Sequence, residues 1–291
     1  MHQCLRISEI FRIVIKSVSE DRANRRKNLL SLAQTCRTFH SLAIDELWKS
    51  LENFVQLLKC LPDDLWHIDE DGVISFCRPI LPTDWDRFRY YAIRVQTLKV
   101  GADIAVEALR DIAVYSRPHH GYLLPNVRVV SFSVKKVDFA AYLPLFLNPN
   151  LRSFGLHDRG CDTPLVLSRF GDLLGSLTPK LEKITLTMPL RKSIDCIPGT
   201  LTSSASQLQH LMKFSWRLPL LLTDLMCLGS LPHLNHISMV VPDNITDDSA
   251  SLPEPLMFPA LRILELRGRT FPPCTRLLKI LGKRSFQSVL L

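Results

Sequence analysis

The sequence predicts an α/β protein in which a short helical module precedes an irregular solenoid of repeated strand-and-helix units. Three observations favour this class. Apolar residues follow helical spacing over the first fifty positions, a six-residue apolar pattern recurs from residue 95 onward, and the intervals between its copies are long enough for a return helix. With 291 residues, 46% of them apolar and 22% charged, the chain can form one or two domains with a hydrophobic core.

Two amphipathic segments, which together predict two or three short helices, lie at the N-terminus. In the first, Ile7, Ile10, Phe11 and Val14 recur at helical spacing. In the second, the apolar residues at steps of three or four are Leu29, Leu32, Cys36, Phe39, Ala43 and Leu47. We interpret the charged connector "SEDRANRRK" between them as a solvated loop. Because so small a unit hides only about 60% of its chain surface, we expect a partner to cover part of its apolar face.

From residue 95 onward, the pattern apolar-x-x-apolar-x-apolar predicts a series of strands. Its copies begin at Val95, Val127, Leu151, Leu181, Leu211, Leu234, Leu261 and Phe286. Successive starts lie 23 to 32 residues apart, which is typical of degenerate repeats. The last four residues of each copy alternate apolar and polar, the period of a strand with one buried face. Helical spacing in "DIAVEALRDIAVY", "PLVLSRFGDLLGSL", "LLLTDLMCLGSL" and "TRLLKILGK" predicts return helices.

The alternation assigns a face to each strand residue. The positions predicted to point into the core are Val130, Phe132, Phe154, Leu156, Ile184, Leu186, Phe214, Trp216, Ile237, Met239, Leu264 and Leu266. The residues between them form the opposite face, where we expect substrate binding by His157, Lys183, Thr185, Lys213, Ser215, Arg217, His236, Glu265 and Arg267. Lys and Arg donate charge-assisted hydrogen bonds to anionic groups, so the expected ligand is an acidic or phosphorylated protein segment. The alternative is that these are ordinary solvated strand positions.

The repeats resemble leucine-rich repeats, in which one parallel sheet lines the concave side of a horseshoe and helices line the outside. We assign residues 93–291 to such a solenoid, although the Asn that the family often carries after the strand is missing from every unit. A doubly wound α/β sheet is the main competing architecture. No Gly-rich phosphate loop follows any of these strands, which argues against it.

The N-terminal segment resembles the F-box, a helical module that docks on the Skp-type adaptor of cullin-based ubiquitin ligases. The resemblance spans residues 4 to 48 and depends on Glu9-Ile10, the run from Leu30 to Cys36 with Phe39, and Leu47-Trp48. It implies an adaptor-binding module over residues 1–50, with the contact carried by Ile7, Ile10, Leu29, Leu30, Leu32, Cys36, Phe39, Leu47 and Trp48. Residues 51–92 are similar to the segment after the F-box in families of mushroom-forming fungi. We predict a helical and loop junction there, with Trp48 as its hinge.

The sequence carries no motif for catalysis or for a cofactor. It lacks a GxSxG elbow, an HExxH pair and a Walker loop, so we expect no catalytic residue, no metal and no cofactor. Its eight cysteines form no CxxC pair, which favours free thiols in the cytoplasm or nucleus. The sequence contains no run of about eighteen apolar residues, so we expect no membrane span. The net charge of +8 comes from scattered Lys and Arg, so we expect no nucleic-acid partner.

Two functional hypotheses follow. In the first, the chain is the substrate receptor of a Skp-cullin-F-box ubiquitin ligase, with the repeats binding a target protein. In the second, it is a repeat scaffold that binds protein or nucleic acid without any ligase. An apolar helical face at the N-terminus favours the first, because a free-standing repeat array needs a polar cap there. A hydrolase is a third hypothesis, which the missing motifs disfavour.

Overall fold

The computed structural model describes residues 8–21, 23–101, 103–116, 121–134, 137–158, 174–187, 207–219, 222–241, 258–268, 271–280 and 288–290. Within them the chain has an α/β fold. The helices are α1 Ser8–Glu20, α2 Arg25–Thr35, α3 Arg37–Trp48, α4 Val55–Leu58, α5 Trp85–Ala92, α6 Val106–Ser116, α7 Leu222–Gly229 and α8 Phe271–Ile280. The strands are β1 Ser50–Leu51, β2 Trp66–Ile68, β3 Ile74–Phe76, β4 Thr97–Val100, β5 Val129–Val134, β6 Ser153–Asp158, β7 Lys183–Thr187, β8 Lys213–Pro219, β9 His236–Val240, β10 Ile263–Arg267 and β11 Ser288–Leu290.

The N-terminal segment forms three helices, the larger of the two numbers that the sequence predicts, because the apolar run from Leu29 to Leu47 is divided between α2 and α3. Cys36 separates α2 from α3 with an extended backbone, φ −161° and ψ 164°. This single extended residue lets the two helices pack against each other, burying Ala33 and Ala43 in a shared cluster. The apolar spacing continues across the break, which is why the sequence pattern did not reveal it.

Nine strands form one sheet in the order β1, then β4 to β11, and every neighbouring pair is parallel. The spatial order of these strands therefore follows the chain, whereas a doubly wound sheet reverses direction at a switch point. The sheet begins at Ser50–Leu51, ahead of the predicted start at residue 93, because β1 pairs with β4. In this register, Trp48 stands where Val95 stands in the next unit, two residues before the strand.

A repeated hydrogen-bond pattern joins neighbouring units just before each strand. The carbonyl oxygen of Lys49 accepts both the Gln96 and the Thr97 N–H groups, each at 2.9 Å. The same carbonyl position accepts two N–H groups of the next unit at Gln96, Arg128, Arg152, Glu182, Met212 and Asn235. Because the same hydrogen bonds form before each of these strands, neighbouring strands start in the same register although the units differ in length.

A turn precedes the lead apolar residue of most units. The N–H of Leu151, for example, donates to the Asn148 carbonyl at 3.1 Å, and Pro149 lies between them, a position where proline favours a turn. Buried Asn148 also ties its turn to the preceding one, because Nδ2 donates to the Leu124 and Val127 carbonyls at 2.9 and 3.1 Å. The side-chain amide of Asn148 thus links two successive units just before their strands.

The core confirms the predicted alternation. Each of the twelve strand positions assigned to the interior, from Val130 to Leu266, is buried. Three of the expected return helices occur, as α6, α7 and α8, while a 3-10 helix, Val137–Phe146, connects β5 to β6. Most of "PLVLSRFGDLLGSL" lies outside the described residues.

The segment between β1 and β4 contains more regular structure than the predicted helical and loop junction. Helices α4 and α5 occur there, together with the antiparallel pair β2 and β3. Arg78 joins two parts of this segment, since its guanidinium donates to Asp64 and Asp84 at 2.8 and 2.7 Å. These hydrogen bonds hold the pKa of both carboxyl groups below their usual range.

Candidate protein-interaction sites

The N-terminal helices have a small core of their own. It consists of Phe11 and Ile15 from α1, Leu29 from α2 and Phe39 from α3, all buried. The rings of Phe11 and Phe39 are stacked, with centroids 3.9 Å apart. Val18, Leu32 and other half-buried apolar residues pack around this cluster. The inner face of α1 is therefore occupied by α2 and α3.

A second apolar face of α1 is left exposed. Ile10 and Ile13 are 37% and 68% exposed, and half-buried Val14 follows them at helical spacing. On α2, Leu30 is 44% exposed although its neighbour Leu29 is fully buried. We define the exposed module face as Ile10, Ile13 and Leu30. No other described residue covers these side chains enough to bury them.

The predicted adaptor-binding residues separate into three groups. Leu29 and Phe39 lie in the module core, whereas Ile10 and Leu30 are exposed. Leu32, Cys36, Leu47 and Trp48 are half-buried. Ile7 lies outside the described residues. The prediction did not include Ile13, although its position three residues after Ile10 places both on one helical face.

Trp48, the predicted hinge, is a packed residue. Its ring stacks on Tyr91 of α5 with centroids 4.2 Å apart. Nearby, Arg94 Nε donates to Asp45 Oδ1 at 2.7 Å. Both contacts join α3 to the segment that precedes β4. The structure thus assigns Trp48 to the attachment of the helices to the rest of the fold.

The predicted substrate-binding residues project from the sheet in lateral rows set by strand register. One row runs through Ser153, Lys183, Lys213 and His236, and the adjacent row runs through Ser131, Gly155, Thr185, Ser215, Ser238 and Glu265. We call these two rows, together with His157, Arg217 and Arg267, the open face. Gly155 and Ser238 are buried within it, whereas Lys183, Lys213, Arg217 and Arg267 are exposed.

Cations are concentrated at the centre of the open face. Lys183 and Lys213 are direct partners on neighbouring strands, which lie about 4.8 Å apart. Within the described part of the chain, neither lysine forms an ion pair. Next in the same row, His236 Nε2 lies 3.3 Å from Glu265 Oε1. Farther along the strands, His157 Nδ1 and Thr187 Oγ1 are in hydrogen-bond contact.

One thiol of the described residues lies beside an imidazole, with Cys77 Sγ 3.2 Å from His67 Nδ1 and Ser75 Oγ 3.0 Å from His67 Nε2. Among the described residues, no group of three or more His, Cys, Asp or Glu side chains has a geometry that could hold a metal ion. Burial raises the pKa of the Cys60 thiol to about 11 and also raises the pKa values of Cys227 and Cys274. Such thiols stay protonated near neutral pH and are poor nucleophiles. No helix in the described part of the chain is long and apolar enough to span a bilayer.

No protein-family model matches this chain, and no curated protein shows significant similarity to it. The exposed module face and the open face are therefore the features from which its function is inferred.

Proposed function

We propose that the chain is a substrate-recognition subunit of a Skp-cullin-F-box ubiquitin ligase. In this proposal, residues 1–50 are an F-box that docks on a Skp-type adaptor and, through it, on a cullin. The following strands form an irregular leucine-rich-repeat solenoid that binds an acidic or phosphorylated segment of a target protein. The chain performs no chemistry itself. It raises the effective concentration of the target near the conjugating enzyme.

The observation that carries the proposal is the exposed module face. Three large aliphatic side chains, Ile10, Ile13 and Leu30, face solvent on helices whose opposite sides are already packed. Exposed aliphatic side chains that share one helical face, as Ile10 and Ile13 do, are typical of a surface that a partner covers. Burying one such side chain contributes about 1.5 to 3 kcal/mol before ordering costs, so three can dominate an interface.

The sheet supports the second half of the proposal. Its strands follow one another in chain order, as in a solenoid that grows by one unit at a time. Lys183 and Lys213, which form no ion pair with any residue that the structure describes, stand side by side on the open face, where like charges repel each other. An anionic group placed between them would relieve that repulsion, which is why the proposed target segment is acidic or phosphorylated.

Co-purification of the full chain with a Skp-type adaptor tests the proposal. The double variant Ile13→Asp, Leu30→Asp changes two exposed residues and should retain the fold while losing the complex. Val114→Asp on α6, which also replaces an exposed aliphatic residue, is the matched control and should retain the complex. Phe39→Asp is unsuitable because it places a charge in the module core.

Each outcome has a direct meaning. Binding by the parent and by Val114→Asp, with loss in the double variant, supports adaptor docking at the exposed module face. Failure of the folded parent chain to bind any Skp-type adaptor would contradict the ligase proposal. The chain would then be better explained as a repeat scaffold without ligase activity.

A further inference from the structure

We propose that a cationic groove between α2 and α4 binds an acidic peptide segment of a partner protein. The groove has a volume of about 490 Å³ and lies where the N-terminal helices meet the first strand of the sheet. Its cationic side chains are Arg25, Arg26 and Lys59. It is distinct from both the exposed module face and the open face. Arg25 and Arg26, which we expected from the sequence to lie in a solvated loop, belong to α2 and line this groove.

The charge of the groove is unbalanced. Glu52 is the carboxylate among its lining residues, and the Lys99 ammonium on β4 already engages it. Arg25 Nη2 donates to the Glu46 carbonyl at 2.7 Å and lies 4.0 Å from Glu46 Oε1, so the charge of Arg25 is partly balanced and the excess comes from Arg26 and Lys59. Arg26 and Lys59 are exposed and form no ion pair with another described residue. The Lys59 ammonium also lies over the Trp66 ring, 5.7 Å from its centroid, so a carboxylate would have to add to or replace that cation–π contact, whereas Arg26 has no such partner among the described residues.

The start of α2 adds to this positive potential. The helix opens with Arg25, Arg26 and Lys27 and has no acidic residue in its first turn. Asn24 does not cap it with its side chain, whose Nδ2 donates to Asp21 Oδ2 at 3.3 Å instead. The first N–H groups of a helix lack intrahelical partners, and this end carries the positive pole of the helix dipole. Cationic side chains at this end of a helix are unfavourable, because they lie at the positive pole of the dipole. An anionic ligand would be attracted by the side chains and by the helix dipole alike.

The apolar residues that line the groove indicate which anionic ligand fits. Leu47, Trp48 and Leu51 are large apolar residues that line the groove together with the cations. A peptide with one apolar side chain flanked by carboxylates matches this arrangement. Nucleic acid matches it less well, because tracking a phosphate backbone requires an extended basic stripe, and the remaining Lys and Arg of this chain are scattered.

Fluorescence anisotropy on the full chain tests the inference. The probe is a fluorescein-labelled peptide with a central leucine and glutamates on both sides. The double variant Arg26→Glu, Lys59→Glu should bind it roughly tenfold more weakly or worse, since reversed rim charges repel the ligand. The matched control, Arg110→Glu with Lys180→Glu, reverses two exposed cations elsewhere and should stay within about twofold of the parent.

Four further measurements complete the test. Replacing the central leucine of the probe by serine should weaken binding, and thermal unfolding should show that both double variants are folded. Equal losses in the groove and control variants would overturn the inference, as would tighter binding of a single-stranded DNA of equal length at the same salt concentration. Ile13→Asp should leave probe affinity unchanged, so this test is independent of adaptor docking.

Discussion

The Trp48 and Tyr91 rings stack with centroids 4.2 Å apart and planes inclined by 24°, joining the end of α3 to α5. Trp48 also precedes β1 by two residues, the place that the lead apolar residue holds in later units. The helical module therefore continues directly into the sheet. Its attachment depends on an aromatic contact as well as on the Asp45 to Arg94 ion pair.

Removing the Tyr91 ring should loosen this attachment. An aromatic pair contributes about 0.5–1.5 kcal/mol beyond the area it buries, so Tyr91→Ala should increase local opening of α3 accordingly. Amide hydrogen exchange in α3 and β1 measures the effect. Tyr122→Ala, which removes an exposed ring elsewhere, should leave exchange there unchanged. Identical exchange in the two variants would contradict a structural role for the stack.

The module core and its exposed face should respond differently to truncation. Phe39 is only 6% exposed and stacks on Phe11, so Phe39→Ala should lower the free energy of unfolding by about 3–5 kcal/mol. Ile13→Ala should change it by less than about 0.5 kcal/mol, because that side chain is 68% exposed. Urea denaturation followed by circular dichroism measures both. A large loss for Ile13→Ala would mean that Ile13 supports the fold instead of an interface.

Acid should destabilise the segment around Arg78. The hydrogen bond from Arg78 lowers the pKa of buried Asp84, and the Leu81 N–H also donates to that carboxylate at 2.8 Å. A carboxyl group whose pKa is lower in the folded than in the unfolded state stabilises the fold when the pH is above its unfolded-state pKa of about 3.9. This stabilisation is lost as the pH falls through the folded-state pKa. Asp84→Asn should therefore reduce the dependence of unfolding free energy on pH below about 5.

Denaturation at a series of pH values checks this expectation. Asp86→Asn, which changes an exposed carboxyl two residues away in the first turn of α5, serves as the control and should keep the slope of the parent. Equal slopes for Asp84→Asn and the parent would show that the Arg78 contacts do not contribute to acid sensitivity.

The adjacent lysines of the open face should carry a stability cost. Lys213→Glu replaces a repulsive cross-strand pair with an attractive one, so it should stabilise the fold by about 0.2–1 kcal/mol at low salt. The same change should weaken binding of an acidic target segment. Denaturation at low and high salt measures the first effect, which screening should diminish. Lys180→Glu, in the turn before β7, should show no comparable gain; an equal gain would indicate a general charge effect.

The sequence was sufficient to locate the repeated strands. Strand alternation correctly assigned pairs such as Phe214 and Trp216 to the interior, because burying one face of a strand requires that period. It also located β11, which pairs with β10 near the end of the chain. The repeat pattern predicted which residues share the open face, although only strand register reveals that Lys183 and Lys213 are neighbours.

Other features depend on tertiary context that the pattern does not encode. β1 has two residues, and its pairing with β4 is visible only in three dimensions. The break at Cys36 does not disturb the apolar spacing. Arg26 and Lys59 are distant in sequence. They line the same groove because α3 leads the chain back to the sheet. Ile13 is different, since its helical spacing from Ile10 was available in the sequence.

Hydrogen–deuterium exchange of the full chain, alone and with a saturating Skp-type adaptor, tests the central claim most directly. The proposal predicts slower exchange in α1 and α2, where the exposed module face lies, and unchanged exchange in the strands of the sheet. Unchanged exchange in α1 and α2, or protection confined to the strands, would contradict it.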